Sequence, residues 1–168
     1  MHGVYEIIES PLGKVFVAEI DNQLCALSFD TSTAASTGML LKKYSSVEFV
    51  GGRVFNRTNI LRVLNGEEVS ETVPISPQVF KQCSDFRKDV YDQLMRIPRG
   101  CTKSYSEVAK SMGRPRAYRA VAQACRANIL PVIIPCHRVV GSDGSLTGYS
   151  GGGTEMKQRL LDMERAKL

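Results

Sequence analysis

The 168-residue chain contains, in its last third, the stretch Leu130-Pro131-Val132-Ile133-Ile134-Pro135-Cys136-His137-Arg138-Val139. Its apolar start, 130–134, predicts a buried strand, and the glycines at 141 and 144 predict a turn after it. A thiol is therefore expected at the end of a buried strand, beside an imidazole and a guanidinium that favour its nucleophilic thiolate form. Of the five cysteines, only Cys136 has such neighbours. The alternative interpretation is a packing thiol beside a surface histidine.

Composition limits the class of protein. With 43% apolar and 23% charged residues, the chain has the make-up of a soluble globular protein, and it has neither a bilayer-length apolar run nor the layout of a secretion signal. Five cysteines without Cys-x-x-Cys spacing and two histidines argue against a disulfide framework and a zinc site. We expect free thiols, no metal, no cofactor, no membrane partner and a cytoplasmic location, or a nuclear one if the source is eukaryotic.

Charge is distributed unevenly along the chain. Residues 1–80 hold six basic and nine acidic residues (net −3), 81–138 hold twelve and four (+8), and 139–168 hold four and four (0). A basic segment within an otherwise acidic or neutral chain is typical of a surface that binds phosphates. The alternative is a solvated helical face.

The first half of the chain alternates as a sheet does and then turns helical. Segments 5–8, 14–20 and 23–29 predict an antiparallel three-stranded meander, and 34–44 and 59–65 predict helices, which leaves a candidate short strand at 47–50. The stretch 71–77 has two prolines and no helical period, so it predicts a linker. The expected domains are 1–76, an N-terminal α/β domain, and 77–168, a C-terminal domain.

The second half has the apolar spacing of helices. Phe86, Val90, Leu94 and Ile97 recur at intervals of four, four and three, and they predict a helix over 85–97 that ends before Pro98.

Two more helices are predicted around a glycine-containing turn. Ser104 and Glu107 have the spacing of a capping box and predict a helix through residue 112, which Gly113 and Pro115 end. The following helix, 116–127, carries two sets of residues: small ones at Ala117, Ala120, Val121 and Ala124, and arginines at 116, 119 and 126. Paired helices of this kind are typical of helix-turn-helix DNA-binding proteins.

Six segments, in order, complete the pattern: Ser104-Tyr105, Arg116 to Ala122, Arg126-Ala127-Asn128, Ile134 to Val140, Gly148-Tyr149-Ser150-Gly151-Gly152 and Lys157 to Glu164. In order and spacing they resemble the O6-alkylguanine-DNA alkyltransferase family. The resemblance is strong over 84–165 and looser at Glu9-Ser10-Pro11-Leu12-Gly13.

The resemblance implies a fold and a function. The fold is a two-domain α/β (α+β) protein, with a ribonuclease-H-like antiparallel sheet and helices first and a helical, winged-helix-like domain with the helix-turn-helix second. The function is DNA repair by direct reversal. The alkyl group of O6-alkylguanine in double-stranded DNA passes irreversibly, once per molecule, to the Cys136 thiolate after the nucleotide is flipped out through the minor groove. The protein is expected to act as a monomer.

The resemblance also assigns catalytic roles. Cys136 attacks the alkyl carbon, His137 takes the thiol proton through a water, Glu164 orients His137, and Tyr105 gives a proton to the departing base. Substrate-binding roles fall on Tyr105, Asn128, Val139, Tyr149 and Ser150. Alternatives are open for three of them: packing for Tyr105, a helix C-cap for Asn128, and a flexible turn for Ser150.

DNA contacts are implied for the second helix of the pair and for a turn. Arg119 would fill the place that the flipped nucleotide leaves in the stack. The other residues implied to contact DNA are Arg116, Ala120, Arg126 and Ser142.

The chain departs from the family pattern at three points, and two other classes of protein are alternatives. The zinc ligands of some members are missing, Tyr91 stands where relatives often have tryptophan, and Cys125 is interpreted as a packing residue. One rival is an alkyltransferase-like lesion binder, which lacks the nucleophile that Cys136 supplies. The other is a helix-turn-helix transcription regulator with an incidental cysteine.

Overall fold

The computed structural model describes residues 1–68, 73–146, 149 and 151–166. The backbone divides into two compact units, Met1–Gln82 and Cys83–Leu168. The boundary expected after residue 76 thus falls inside the first unit. The linker expected at 71–77 lies partly outside the described residues. In its described part Ile75 pairs with Leu24, and Pro77 begins a helix, so this part is structured within the first unit.

A four-stranded sheet forms the first unit. Strands β1 (His2–Ser10), β2 (Gly13–Ile20) and β3 (Gln23–Ser28) make the predicted antiparallel meander, and Asp21 and Asn22 join β2 to β3 with the positive φ angles of a two-residue hairpin turn. The candidate short strand at 47–50 is also present, but it departs from the antiparallel sheet that the resemblance implied. Strand β4 (Glu48–Gly51) pairs in parallel with β1, because a helix between β3 and β4 returns the chain in the same direction.

Helices α1 (Thr33–Lys43), α2 (Arg57–Leu64) and α3 (Pro77–Lys81) complete the first unit. The predicted helices at 34–44 and 59–65 are confirmed, whereas α3, with five residues, was not predicted. A buried carboxylate fixes the start of α2: Glu19 on β2 accepts hydrogen bonds from the backbone N–H groups of Phe55 (2.7 Å) and Asn56 (2.9 Å). These donors precede the first helical turn and would otherwise need water or a cap.

The second unit is mainly helical. Its elements are α4 (Asp85–Met95), β5 (Lys103–Ser104), α5 (Tyr105–Ser111), α6 (Tyr118–Arg126), the 3₁₀ helix Cys136–Arg138, β6 (Val139–Val140) and α7 (Gly153–Ala166). The predicted helices at 85–97, 104–112 and 116–127 are confirmed, and the Ser104 hydroxyl accepts from Glu107 N at 3.0 Å as a cap should. The parallel pair β5–β6 was not predicted, because two residues per strand show no periodicity. The mixed α+β class is confirmed.

The strand predicted at 130–134 is wrong. Ile134 N donates to Leu130 O (2.9 Å), and Val132 has a positive φ of 76°, so the segment is a tight turn. Cys136 follows it at the start of the 3₁₀ helix, on a turn and not at a strand end. Within the described ranges, no helix combines the length and apolar character needed to cross a membrane.

Candidate active site

A single amide holds the turn and the thiol together. Asn128, just beyond α6, accepts from Leu130 N through Oδ1 (2.9 Å), and its Nδ2 donates to Ile134 O (2.9 Å) and to Cys136 Sγ (3.2 Å). Asn128 and Cys136 are both buried. The structure therefore brings Asn128 to the sulfur itself, which the sequence pattern alone did not indicate. Its backbone is not the C-cap of α6, which is Ala127.

Opposing influences act on the ionisation of the thiol. Burial raises the pKa of Cys136, while the hydrogen bond from Asn128, the charge of Lys157 and a backbone hydrogen bond lower it. Burial is the largest of these effects, so the thiol keeps its proton in the resting site and must lose it during a reaction.

The buried His137 and Glu164 form a chain of polar groups with the half-buried Arg138. His137 Nε2 lies 2.7 Å from Glu164 Oε1, and Arg138 donates to both oxygens of the same carboxylate, with Nη2 2.7 Å from Oε1 and Nε 3.1 Å from Oε2. Arg138 Nη1 also donates to Ile97 O (2.8 Å). Burial opposes the charge of Glu164, but the hydrogen bonds from His137 and Arg138 outweigh it and lower the pKa of Glu164 to about 2. Glu164 is therefore an acceptor at neutral pH.

An ionised Glu164 fixes the tautomer of His137. Burial lowers the pKa of His137 although Glu164 opposes the shift, so the ring is neutral, and its single N–H is the Nε2–H that points to Glu164. Nδ1 is then a lone-pair acceptor. It is buried and has no hydrogen-bond partner among the described residues. A neutral imidazole with a free Nδ1, oriented by a carboxylate, has the form of a general base.

Lys157 is a functional candidate that sequence reasoning missed. It is 1% exposed on α7, and its Nζ lies 5.7 Å from the Tyr105 ring centre and 5.9 Å from that of Tyr149. Burial lowers the pKa of Lys157, and the nearby Cys136 and Cys125 oppose that shift. A signal was present in the sequence: the face of α7 that contains Leu160 and Leu161 also contains Lys157 and Glu164, two charged residues at core positions.

Two tyrosines border this lysine. Tyr105 begins α5 and is half-buried; burial, then Cys125 and Cys136, raise its pKa to about 12, so it is a proton donor at neutral pH. Tyr149 is buried, and its hydroxyl has no hydrogen-bond partner within the described part of the chain. A Cβ at residue 151 would lie 2.6 Å from the Tyr149 ring, so this close approach requires Gly151. Ser150 lies outside the described residues.

The remaining predicted residues lie on α6 and around β6. The exposed residues on and just before α6 are Arg116, Arg119, Ala120 and Arg126. Ser142 is also exposed, and its hydroxyl oxygen lies 3.4 Å from that of Ser106. Three side chains of α6 face the core, namely Val121, Ala124 and Cys125, which confirms a packing position for the second thiol. Burial, and after it Cys136, raise the pKa of Cys125 to about 12. Val139 is buried, and its N–H donates to Cys136 O. No cluster of three or more metal-ligating side chains occurs in the described ranges.

Known proteins match the chain over nearly its whole length. Residues 85–166 match the family model of the 6-O-methylguanine DNA methyltransferase DNA-binding domain. The chain is 36% identical over 171 residues to a methylated-DNA–protein-cysteine methyltransferase of Methanosarcina barkeri, with 98% of each chain covered. It is 32% identical to the constitutive methyltransferase of that name from Bacillus subtilis, over 96% of this chain and 94% of the relative.

A solved structure of a DNA-bound protein matches nearly the whole chain. The Mycobacterium tuberculosis OGT in complex with DNA has a TM-score of 0.77 and 31% identity, over 99% of this chain and 94% of that one. Fold and site together define a DNA-binding protein with a cysteine nucleophile. The chain belongs to the O6-methylguanine-DNA methyltransferase family, as the sequence pattern predicted.

Proposed function

We propose that this chain repairs DNA by direct reversal, moving the alkyl group of O6-alkylguanine to Cys136 Sγ. Besides the family, the geometry of the site supports the proposal. Asn128 donates a hydrogen bond to the sulfur of Cys136. The neighbouring His137 has its Nε2 bound to Glu164 and its Nδ1 without a hydrogen-bond partner among the described residues.

The reaction is an in-line displacement at carbon. His137 Nδ1 takes the thiol proton through a water, Glu164 stabilises the imidazolium that forms, and the Sγ–C bond forms as the C–O6 bond breaks. The leaving guanine accepts a proton from Tyr105, whose raised pKa keeps that proton available. Nothing in this reaction cleaves the new Sγ–C bond of the product thioether. The thiol is therefore not restored, and each molecule reacts once.

The base must leave the duplex to reach a buried sulfur. Arg119 fills the vacated place from the minor groove, and Arg116, Ala120, Arg126 and Ser142 contact the backbone and groove; these residues are exposed. Asn128, Val139, Tyr149 and Ser150 surround the flipped base. We further propose that the protein acts as a monomer on double-stranded DNA, and that its two units are ribonuclease-H-like and winged-helix-like. The location stays a prediction.

Intact-mass analysis tests the proposal. A duplex with one O6-methylguanine should add one methyl group per protein molecule, and a peptide map should place it on Cys136. Cys136→Ala should bind the same duplex without taking the methyl group. A label on another residue, or several methyl groups removed per molecule, contradicts the mechanism.

A further inference from the structure

Tyr118 is an exposed aromatic residue that the proposed function leaves unused. It is the first residue of α6 and is 42% exposed. Among the described residues of the second unit it is the only exposed aromatic side chain: Phe86 and Tyr105 are half-buried, and Tyr91 and Tyr149 are buried. A single exposed apolar side chain means little by itself. The residues around Tyr118 indicate a role for its ring.

Tyr118 lies in an arginine-rich stretch of the chain, between Arg116 and Arg119. The Arg119 guanidinium lies over the Tyr118 ring, with Cζ 5.9 Å from the ring centre. The chain just before it, Arg114 to Ala117, lines a surface depression. Ala120, two residues after Tyr118, is exposed. An exposed aromatic ring with a guanidinium over it, in a stretch of chain rich in arginine, is the combination found where proteins stack on nucleic-acid bases.

Helix geometry places the ring at the border of two faces of α6. Tyr118 is three residues before Val121 and seven before Cys125, both buried, so the three share one side of the helix. Arg119, one residue on, starts the exposed side. A side chain of α6 leans toward the helix N-terminus, so the ring projects beyond the first turn. The ring therefore stands beside the arginine that enters the stack.

We propose that Tyr118 is a further DNA-contacting residue, whose ring stacks on a nucleotide of the duplex next to the flipped guanine. This inference rests on the proposed function. When Arg119 leaves the ring to fill the vacated place, the face of the phenol becomes free for a base or deoxyribose. Since every base has a π-face, such a contact is independent of sequence, as repair requires.

Single-turnover kinetics of the full chain test the inference. Tyr118→Ala should slow transfer from an O6-methylguanine duplex about fivefold or more, the loss expected when one stacked base is given up, and should slow reaction with free O6-benzylguanine by a clearly smaller factor. Tyr118→Phe keeps the ring and should stay close to the wild type. Met95→Ala, which removes another exposed apolar side chain of the second unit, is the matched control and should change neither reaction.

A second measurement separates direct stacking from an effect through Arg119. Tyr118→Ala is made in an Arg119→Ala background, and duplex affinity is measured at one fixed salt concentration. A further loss of affinity supports direct contact; no further loss means that Tyr118 only positions Arg119, and it overturns the inference. Equal rates for wild type and Tyr118→Ala on the duplex overturn it too. A wild-type protein that leaves the methyl group on the duplex refutes the proposed function itself.

Discussion

Cys136 is buried, and burial makes a thiol a poor nucleophile unless nearby groups offset the loss of water. The hydrogen bond from Asn128 and the Lys157 ammonium act in this direction, and both lower the pKa of Cys136. Burial holds His137 neutral, so it can accept the thiol proton in the proposed reaction. Cys136 thus stays protonated and unreactive in the resting site, while the groups around it favour its ionisation. This arrangement suits a residue that can react only once.

Lys157→Met tests the electrostatic part of this arrangement. Methionine keeps the length of the side chain but removes the charge that lowers the pKa of Cys136. The rate of reaction with free O6-benzylguanine should reach its half-maximum at a higher pH, with a loss of about tenfold at neutral pH for each unit of pKa change. Lys110→Met, on the exposed end of α5, is the control. An unshifted pH profile would show that Lys157 only packs.

Glu164→Gln tests the carboxylate that orients His137. The pKa of Glu164 is about 2 in the folded protein against an ordinary 4.5, so its stabilisation is complete above pH 4.5 and is lost as the pH falls toward 2. His137 adds to this in the same direction, because its folded pKa is lowered and the unfolded chain gains a proton below about pH 6.5.

The expected result is a loss of both stability and pH dependence. Glu164→Gln should lower the free energy of unfolding at pH 7 by on the order of 3 kcal/mol and flatten its decline between pH 5 and 2. Urea titrations over that range measure it, with Glu155→Gln, exposed on the same helix, as the control. A pH dependence equal to that of the wild type would contradict the assignment.

Sequence predicted some residues of this site better than others. Cys136 and His137 could be predicted because a thiol and an imidazole that are adjacent in the chain are visible in the sequence. The role of Glu164 was implied by the family resemblance. Lys157 was not found, since its importance depends on burial near two rings, those of Tyr149 and of Tyr105, and Tyr105 lies 52 residues before it in the sequence. The contact from Asn128 to the sulfur depends in the same way on a turn that the sequence pattern did not indicate.

At the level of elements, helices were predicted well and short segments were not. Apolar spacing over three turns identifies α4, and the capping serine identifies the start of α5. The apolar run 130–134 predicts a strand, but an apolar run of that length fits a buried turn equally well. The deciding features were the positive φ of Val132 and the hydrogen bonds of Asn128, which are tertiary.

Ser104→Ala tests the N-cap of α5, the helix that Tyr105 begins. The hydroxyl accepts from Glu107 N at 3.0 Å, and its loss leaves a backbone donor of α5 without a partner. The free energy of unfolding should fall by about 1 kcal/mol, measured by urea denaturation. Ser111→Ala, at the exposed end of α5, should not destabilise the protein comparably. Equal effects of the two substitutions would mean that the cap contributes nothing special.

For the whole molecule, net charge differs in sign between the two units. Met1–Gln82 contains seven basic and nine acidic residues, a net charge of −2, and Cys83–Leu168 contains fifteen and eight, a net charge of +7. The uneven charge was visible in the sequence. The parallel pairing of β4 was not, because alternation along a strand does not specify the direction of its partner.

The salt dependence of DNA binding follows from this separation. Four arginines around α6 are exposed, namely Arg114, Arg116, Arg119 and Arg126. On undamaged duplex DNA, where Arg119 has no vacated place to fill, each of the four can neutralise one phosphate. The logarithm of the affinity should then fall against the logarithm of salt concentration with a slope of about −4, since each phosphate contributes roughly −0.9. Arg116→Ala and Arg126→Ala should each reduce the slope by about 1, as measured by fluorescence anisotropy from low to high salt. Lys42→Ala, an exposed cation at the end of α1 in the acidic unit, should leave the slope unchanged. A slope that responds to Lys42 and not to Arg116 or Arg126 would assign DNA binding to the first unit instead.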